Sequence, residues 1–250
     1  MWTSKISRAR TLKDSLQKDI DSFFVSRPYK ISTKVDPQSR RLIYYLTDVI
    51  DVPEDIALLT GDIIQNLRSS LDHLAYELFT KNLGSLADGR HVYFPIADDL
   101  ARYKDQIRKM TWLKQNAKDL LDTIKPYRGG NQNLWRIHKL NIIDKHRLLL
   151  VVGSLLDSVD VGACMLEKMH KNRGLSIPLF IKPADKLFPL KVGDELFIDG
   201  PGATPIPNMK FRFSVVLNEI DIIEGEPLLK ALEFMISEAE QLVPKFQLVL

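Results

Sequence analysis

The sequence predicts an α+β fold, in which a helical bundle is flanked by an antiparallel β-sheet. Two observations predict this. Between residues 54 and 147, apolar residues recur at intervals of three and four, as they do on the buried stripes of amphipathic helices. From 175 to 224 the apolar period is mostly two, and prolines and glycines are frequent. That second pattern is typical of antiparallel strands joined by turns. All of residues 1–250 are expected to form one α+β unit.

The N-terminal elements follow from local spacing. A helix is predicted over 3–25, because apolar residues repeat there at intervals of three and four: Leu12, Leu16, Ile20 and Phe23. Pro28 ends this helix, since a residue that precedes proline disfavours the helical conformation. The alternating segments 29–35 and 41–50 are separated by the turn residues D-P-Q-S. They predict a β-hairpin over 29–50.

The helical core is predicted over 54–147. Its first helix follows Pro53, where Glu54 and Asp55 favour the positive end of the helix dipole, and it runs to about residue 82. Three shorter helices are predicted within the rest of this core: 98–109, 112–124 and 131–147.

The C-terminal part is predicted to be rich in strands. The run L-L-L-V-V-G-S-L-L after Arg147 resembles a buried strand, and strand-like alternation continues to residue 224. This part of the chain, 148–224, can extend the sheet begun by the early hairpin. An amphipathic helix at 226–242 follows.

Composition limits the class of protein. The chain is 45% hydrophobic, yet no window reaches the roughly 18–20 apolar residues that cross a bilayer, so no membrane association is expected. The basic N-terminus has no apolar run behind it, so no secretory signal is expected. The one cysteine, Cys164, excludes an internal disulfide and favours a reducing, cytoplasmic location.

Positive charge is concentrated in one region. The net charge is only +3, but residues 101–147 hold twelve Lys or Arg against four Asp. Such a region can attract phosphates, and RNA is one partner it would suit. The solvated faces of ordinary helices would explain the same charges.

The helix at 54–82 carries the main candidate site. Its core stripe falls within an arc of about 80° on a helical wheel and consists of Ile56, Ile63, Leu67, Leu71, Leu74 and Leu78. A row of small polar residues lies opposite, formed by Asp62, Asn66, Ser69 and His73.

Arg68 and Asp72 lie between those two faces and are four residues apart, so they can form an ion pair on the helix surface. Arg68 and His73 are about 140° apart and about 7.5 Å apart along the axis, so one chain does not place them on one face. His73 can bond a neighbour such as Asn66, or it can act chemically. The small polar row keeps the second interpretation open, because a merely solvated face would usually carry more Lys and Glu.

A second polar signature lies in 134–148, where Asn141 and Asp144 interrupt a broad apolar face. If that face packs inward, both residues are buried and need hydrogen-bond partners. We expect this helix to pack beside helix 54–82 and Asp144 to bond Arg68 or His73. His146 and Arg147 lie at the helix end, where positive charge is favoured by the dipole.

Four segments together resemble a family of uncharacterised bacterial proteins: G-D-I-I-Q-N-L-R-S-S-L-D-H-L (61–74), Y-F-P-I (93–96), I-K-P-Y (124–127) and N-I-I-D-K-H-R-L-L (141–149). Lys125 stands where glutamine is usual in that family. The resemblance covers about 60–150 and implies no particular activity.

The spacing Arg68-Ser69-x3-His73 is similar to the Arg-polar-x3-His motif of HEPN domains, which are helical bundles found in toxin and defence ribonucleases. This resemblance implies metal-independent RNA cleavage at the interface of a homodimer, with histidine moving protons and arginine stabilising the phosphorane charge. Both roles suit the chemistry of the two side chains. The strand-rich part after residue 148 departs from the usual HEPN pattern.

No metal or cofactor is expected, because neither H-x3-H nor H-E-x-x-H spacing occurs and G-P-G-A-T-P is followed by no helix. Two hypotheses remain. The preferred one is a non-enzymatic binding or interaction module whose polar residues form a structural cluster in the bundle. The alternative is a HEPN-like ribonuclease with Arg68 and His73 as catalytic residues, supported by Asn66, Ser69, Asp72, Asp144 and His146.

Overall fold

The apolar stripes of the sequence form a bundle of helices. A computed structural model describes residues 2–84, 89–146, 150, 152–160, 180–181, 188–206 and 209–250. The described helices are α1 (Trp2–Val25), α2 (Glu54–Leu83), α3 (Leu100–Lys109), α4 (Gln115–Ile124), α5 (Gln132–His146) and α6 (Leu228–Gln247). None of these helices is long and apolar enough to cross a membrane.

The alternating segments form strands in two antiparallel sheets. The described strands are β1 (Tyr29–Val35), β2 (Arg41–Val49), β3 (Val152–Asp160), β4 (Phe180–Ile181), β5 (Glu195–Pro201), β6 (Phe211–Glu219) and β7 (Ile223–Pro227). One sheet has the order β1-β2-β5 and the other has the order β4-β3-β6-β7. The hairpin is therefore extended by a strand of the C-terminal part, whereas the other strands of that part form a second sheet.

Two apolar clusters stabilise these layers. The larger one surrounds α2, which packs against α1, α5 and α6, and it also receives Val215 and Leu217 from β6. The smaller one joins the two sheets and consists of Leu46, Leu156, Val159, Leu190 and Leu196. Phe213 of β6 contributes to packing as well, since its ring centroid lies 4.4 Å from that of Tyr29.

The α+β class predicted from the sequence is confirmed, and the hairpin and the long helix lie where the spacing placed them. The last helix, predicted over about 226–242, spans Leu228–Gln247. Residues 223–227 pair with β6 as an edge strand, so the helix begins later, at Leu228. It also continues to Gln247, and Phe246 in its last turn is fully buried. The predictions that concern Arg147, Cys164 and residues 175–179 lie outside the described residues.

Leu46→Ala should strongly destabilise the protein, because Leu46 is fully buried in the cluster that joins the sheets. The expected loss is about 2–5 kcal/mol of unfolding free energy, measured by urea denaturation. Val35→Ala is the matched control on the same hairpin, since Val35 is 59% exposed, and it should cost less than about 1 kcal/mol. Similar losses for the two variants would show that the sheets do not share a core.

Candidate functional site

Arg68 is a buried cation at the centre of α2. The predicted core stripe is buried, but so are residues on its flanks, because α2 has neighbours on several sides. Arg68 is 6% exposed as a result. The prediction of an Arg68–Asp72 pair is confirmed, but its placement on the helix surface was wrong.

Arg68 and Asp72 together hold the chain segment that follows α2. Arg68 Nη2 donates to Asp72 Oδ1 at 2.7 Å and to the backbone oxygen of Phe94 at 3.3 Å. The backbone N–H of Phe94 donates back to Asp72 Oδ1 at 3.0 Å. The F-P-I segment is therefore fixed to α2 by one ion pair that bonds both polar backbone groups of Phe94.

Burial dominates the electrostatics of this pair. It raises the pKa of Asp72 above its ordinary value, while the positive charge of Arg68 and the Phe94 N–H oppose that rise. Burial also lowers the pKa of Arg68, and the Asp72 carboxylate opposes that change. The guanidinium of Arg68 and the carboxylate of Asp72 lie 2.7 Å apart, so their opposite charges offset each other.

The other end of the same segment is fixed to α5. Asp98 accepts a hydrogen bond from Trp135 Nε1 at 3.1 Å. It also forms an ion pair with Lys139, whose Nζ lies 2.9 Å from the carboxylate. Between the two anchors, the N–H of Ala97 donates to the backbone oxygen of Pro126 at 3.1 Å. Residues 94–98 therefore form a rigid wall between α2 and α5.

This wall closes one side of a cavity of about 480 Å³. Residues of α2, α3, α5 and the segment 91–96 line it. Its apolar lining residues are Tyr93, Phe94, Pro95, Ile96, Met110 and Ile142. A cavity of this size with a mainly apolar lining and a few polar groups is typical of small-molecule sites.

Three of the residues that line the cavity each carry a buried polar atom without a hydrogen-bond partner. In the part of the chain that the structure describes, the buried side-chain nitrogen and oxygen atoms that lack a hydrogen bond are Arg68 Nη1, Gln106 Oε1 and Asn141 Oδ1. All three residues line the cavity. Each such atom costs about 1–3 kcal/mol of stability, and all three belong to residues around one cavity.

The cavity is also rich in groups that carry or accept positive charge. Lys109 and Lys145 line it together with three histidines, which are His91, His138 and His146. Asp72 is the one carboxylate among the described lining residues. Burial lowers the pKa of His138 to about 4, and the positive charges of Arg68 and Lys139 act in the same direction. His138 is therefore a neutral imidazole at physiological pH.

The small polar row on α2 does not join this cavity. Asn66 donates to the backbone oxygen of Asp62 at 2.8 Å, which is a bond within the helix rather than a bond to His73. Ser69 and His73 are half-buried, and neither is among the described residues that line the cavity. Arg68 and His73 are therefore not brought together within one chain.

The helix α5 packs beside α2 as predicted, but the bond predicted for Asp144 is not formed. Arg68 donates to Asp72 and Phe94 instead. Asp144 lies against Gly61, where a Cβ atom would overlap its carboxylate. This contact is about two helical turns before Arg68. Burial raises the pKa of Asp144, and the nearby charge of Asp62 adds to that rise.

Of the other residues singled out on α5, His146 lines the cavity and Asn141 is 4% exposed, as its place on the apolar face predicted. Sequence reasoning missed Gln106, His138 and Lys145 as site residues. One signal was present, since His138, Asn141 and Lys145 follow the spacing i, i+3, i+7 and share a helix face. No comparable signal marks Gln106.

Within the described residues, no group of three or more His, Cys, Asp or Glu side chains is arranged to hold a metal ion. Comparison with known proteins gives no family assignment. No protein-family model matches the sequence, and no curated protein or solved structure shows significant similarity to it.

Asp72→Ala should destabilise the fold, because it leaves the Arg68 guanidinium buried without its counter-ion. Asp72 keeps some exposure, so a loss of roughly 2–3 kcal/mol is expected, below the 3–5 kcal/mol typical of a fully buried pair. Chemical denaturation measures it. Asp105→Ala is the matched control, since Asp105 pairs with Arg108 and Lys109 in exposed positions and its removal should change little. Equal effects would mean that the buried pair does not hold the segment 94–98.

His138 should make stability depend on pH in mild acid. Its folded-state pKa, about 4, lies below the ordinary 6.5, so the unfolded chain binds the proton more strongly. The stability that comes from this difference is present above pH 6.5 and is lost as the pH falls towards 4. His138→Gln should remove that part of the slope in a series of denaturation curves. Parallel curves for wild type and variant between these pH values would contradict the assignment.

Proposed function

We propose that the protein is a non-enzymatic binding protein whose cavity between α2, α3 and α5 holds a small organic anion. The observation that supports this most is that three residues lining one cavity, Arg68, Gln106 and Asn141, each carry a buried polar atom without a partner. In a purely structural polar cluster, the polar groups would form hydrogen bonds with each other, as the Asp72 carboxylate and the Phe94 N–H do.

The charge of the lining supports an anion in particular. Lys145 is exposed in the cavity lining, and Arg68 is paired with Asp72. Lys109 also lines the cavity, although it pairs with Asp105. The cationic side chains of the lining therefore outnumber Asp72, which favours negatively charged ligands. The apolar wall supports an organic body rather than a small inorganic ion. The single cysteine of the sequence supports a cytoplasmic location.

Asn141→Leu tests whether the unpartnered amide serves a ligand. The change removes a buried unsatisfied oxygen and keeps a side chain of similar size, so the unfolding free energy should rise by about 1 kcal/mol or more. A denaturant titration of the protein without ligand measures this. If stability falls instead, Asn141 is a structural residue and the argument for a ligand site is lost.

Anilinonaphthalene sulfonate, a small organic anion whose fluorescence rises when it is bound, tests the charge preference. One molecule should bind per chain, and Lys145→Glu should weaken binding by about fivefold or more. Lys104→Glu, also an exposed lysine on a helix but outside the cavity lining, is the matched control and should leave the affinity unchanged. Equal responses to the two reversals would refute an anion site in this cavity.

The second candidate is the metal-independent ribonuclease that the HEPN resemblance implies, with RNA as the partner and a homodimer as the active form. It draws support from Arg68 sharing its cavity with His138 and His146. A permanent cation beside imidazoles suits acid–base chemistry on a phosphodiester. In one chain His138 borders this site, whereas His73 would have to come from a second copy.

An RNA cleavage assay on wild type, His73→Ala and His138→Ala decides between the candidates. The binding protein predicts no cleavage above background for any of the three. Cleavage by wild type that either alanine variant abolishes, without a matching fall in melting temperature, would establish the nuclease in place of the binding protein.

A further inference from the structure

The first half of β6 has a free edge. On one side β3 pairs with β6 along 211–217, whereas on the other side β7 pairs with it only between residues 216 and 219. β7 ends at Pro227, where the chain enters α6. Within the described residues, no strand pairs with 211–215 on the side away from β3. An edge of this kind presents backbone N–H and C=O groups to another partner.

A groove of about 490 Å³ runs along this edge, and we call it the edge groove. One side is formed by the end of α1 and the residues that follow it, through Phe24, Arg27 and Tyr29, and the other side is formed by residues 211–214 of β6. Successive side chains of a strand point to opposite faces of its sheet. Because four successive residues line the groove, it follows an edge of β6 rather than one face. The opposite edge is paired with β3, so the groove lies at the free one.

The two faces of β6 at the edge groove differ in chemistry. On one face, Phe211 and Phe213 are half-buried and pack with Tyr29 against the apolar cluster that joins the sheets. On the other face, Arg212 is exposed. A strand added at this edge continues the same alternation, because side chains on neighbouring strands meet face by face. It therefore suits apolar side chains beside the aromatic rings and acidic side chains beside Arg212.

The charge of the lining also favours an acidic partner. Arg27 is exposed, and its side chain forms no hydrogen bond or ion pair with the described residues. Asp157 is the one carboxylate among the described residues that line the edge groove, so Arg27 and Arg212 outnumber it. An excess of positive charge at a binding surface attracts partners of negative charge.

We propose that the edge groove binds an extended peptide segment of a partner protein, which adds as a strand beside residues 211–214 and alternates apolar and acidic side chains. Backbone hydrogen bonds to the free edge supply affinity, and the aromatic face and the arginines select the sequence. This site lies on the sheets, whereas the cavity between α2, α3 and α5 lies in the helical bundle. The inference therefore goes beyond the proposed function and does not depend on it.

Three capped pentapeptides test the inference by calorimetric titration of the full chain. A peptide that alternates three glutamates with two valines should bind about fivefold or more tightly than its counterpart with lysine in place of glutamate, because the charge is reversed. It should exceed by a similar factor a peptide of the same composition whose two valines are adjacent, because that order breaks the alternation. Bound alternating peptide should also slow the amide hydrogen exchange of residues 211–215, where a new strand forms backbone bonds.

Two glycine variants test the charge of the edge groove. The backbone of Arg27 lies in the left-handed region, with φ 55°, which glycine adopts without strain. Arg27→Gly should therefore weaken the alternating peptide by about threefold or more without lowering the melting temperature. Arg40→Gly is the matched control, since Arg40 is also exposed, has φ 54° and lies outside the described lining of the groove. It should leave the affinity unchanged.

Equal affinities for the three peptides, unchanged exchange at 211–215 or equal effects of the two glycine variants would overturn the inference. Aromatic rings beside arginines also suit single-stranded RNA. A uridine pentanucleotide that binds more tightly than the alternating peptide, and that Arg27→Gly weakens while Arg40→Gly does not, would assign the edge groove to RNA instead of a peptide.

Discussion

The ion pair between Arg68 and Asp72 is the interaction on which the site depends. Both side chains leave the same helix, four residues apart, and both bond the backbone of Phe94. A buried pair of this kind adds little net stability, because desolvation offsets most of the Coulomb attraction. Its effect is positional, since it fixes a loop segment that has no regular secondary structure. Without that segment, the cavity between α2 and α5 would have no wall.

The segment in turn brings together regions that are far apart in the chain. Asp98 joins it to α5 through Trp135 and Lys139, and Ala97 joins it to Pro126 at the start of the next loop. Elsewhere along α2, Gly61 allows α5 to approach so closely that the Asp144 carboxylate occupies the space where a Cβ atom would lie. Three of the segments that stood out in the sequence, 61–74, 93–96 and 141–149, therefore contribute residues to one cavity, although they come from separate elements.

Sequence periodicity predicted what depends on local spacing. The long helix, the hairpin and the burial of Asn141 follow from repeats of 3.6 and 2, because these repeats decide which face of an element turns inward. The burial of Arg68 could not be read in this way, since a segment 26 residues later covers it. The place of Gln106 in the cavity lining could not be predicted either. An amide on a short amphipathic helix is ordinary, and only the position of the segment 91–96 in the structure shows that Gln106 lies beside a cavity. The bond expected of Asp144 was wrong for the same reason. The spacing predicted that α5 packs beside α2, but it does not determine which residues of the two helices lie opposite each other.

Geometry also bears on which function suits the chain. Arg68 and His73 diverge by about 140° around α2, so a catalytic pair would need an imidazole from a second copy. That imidazole would have to reach a guanidinium that is 6% exposed and already bonded to Asp72 and Phe94. Replacing the bonds that already hold the guanidinium would cost the stability of a buried ion pair, whereas a ligand in the cavity can leave those bonds in place. This difference in cost is the physical reason for proposing a binding site rather than a composite nuclease centre.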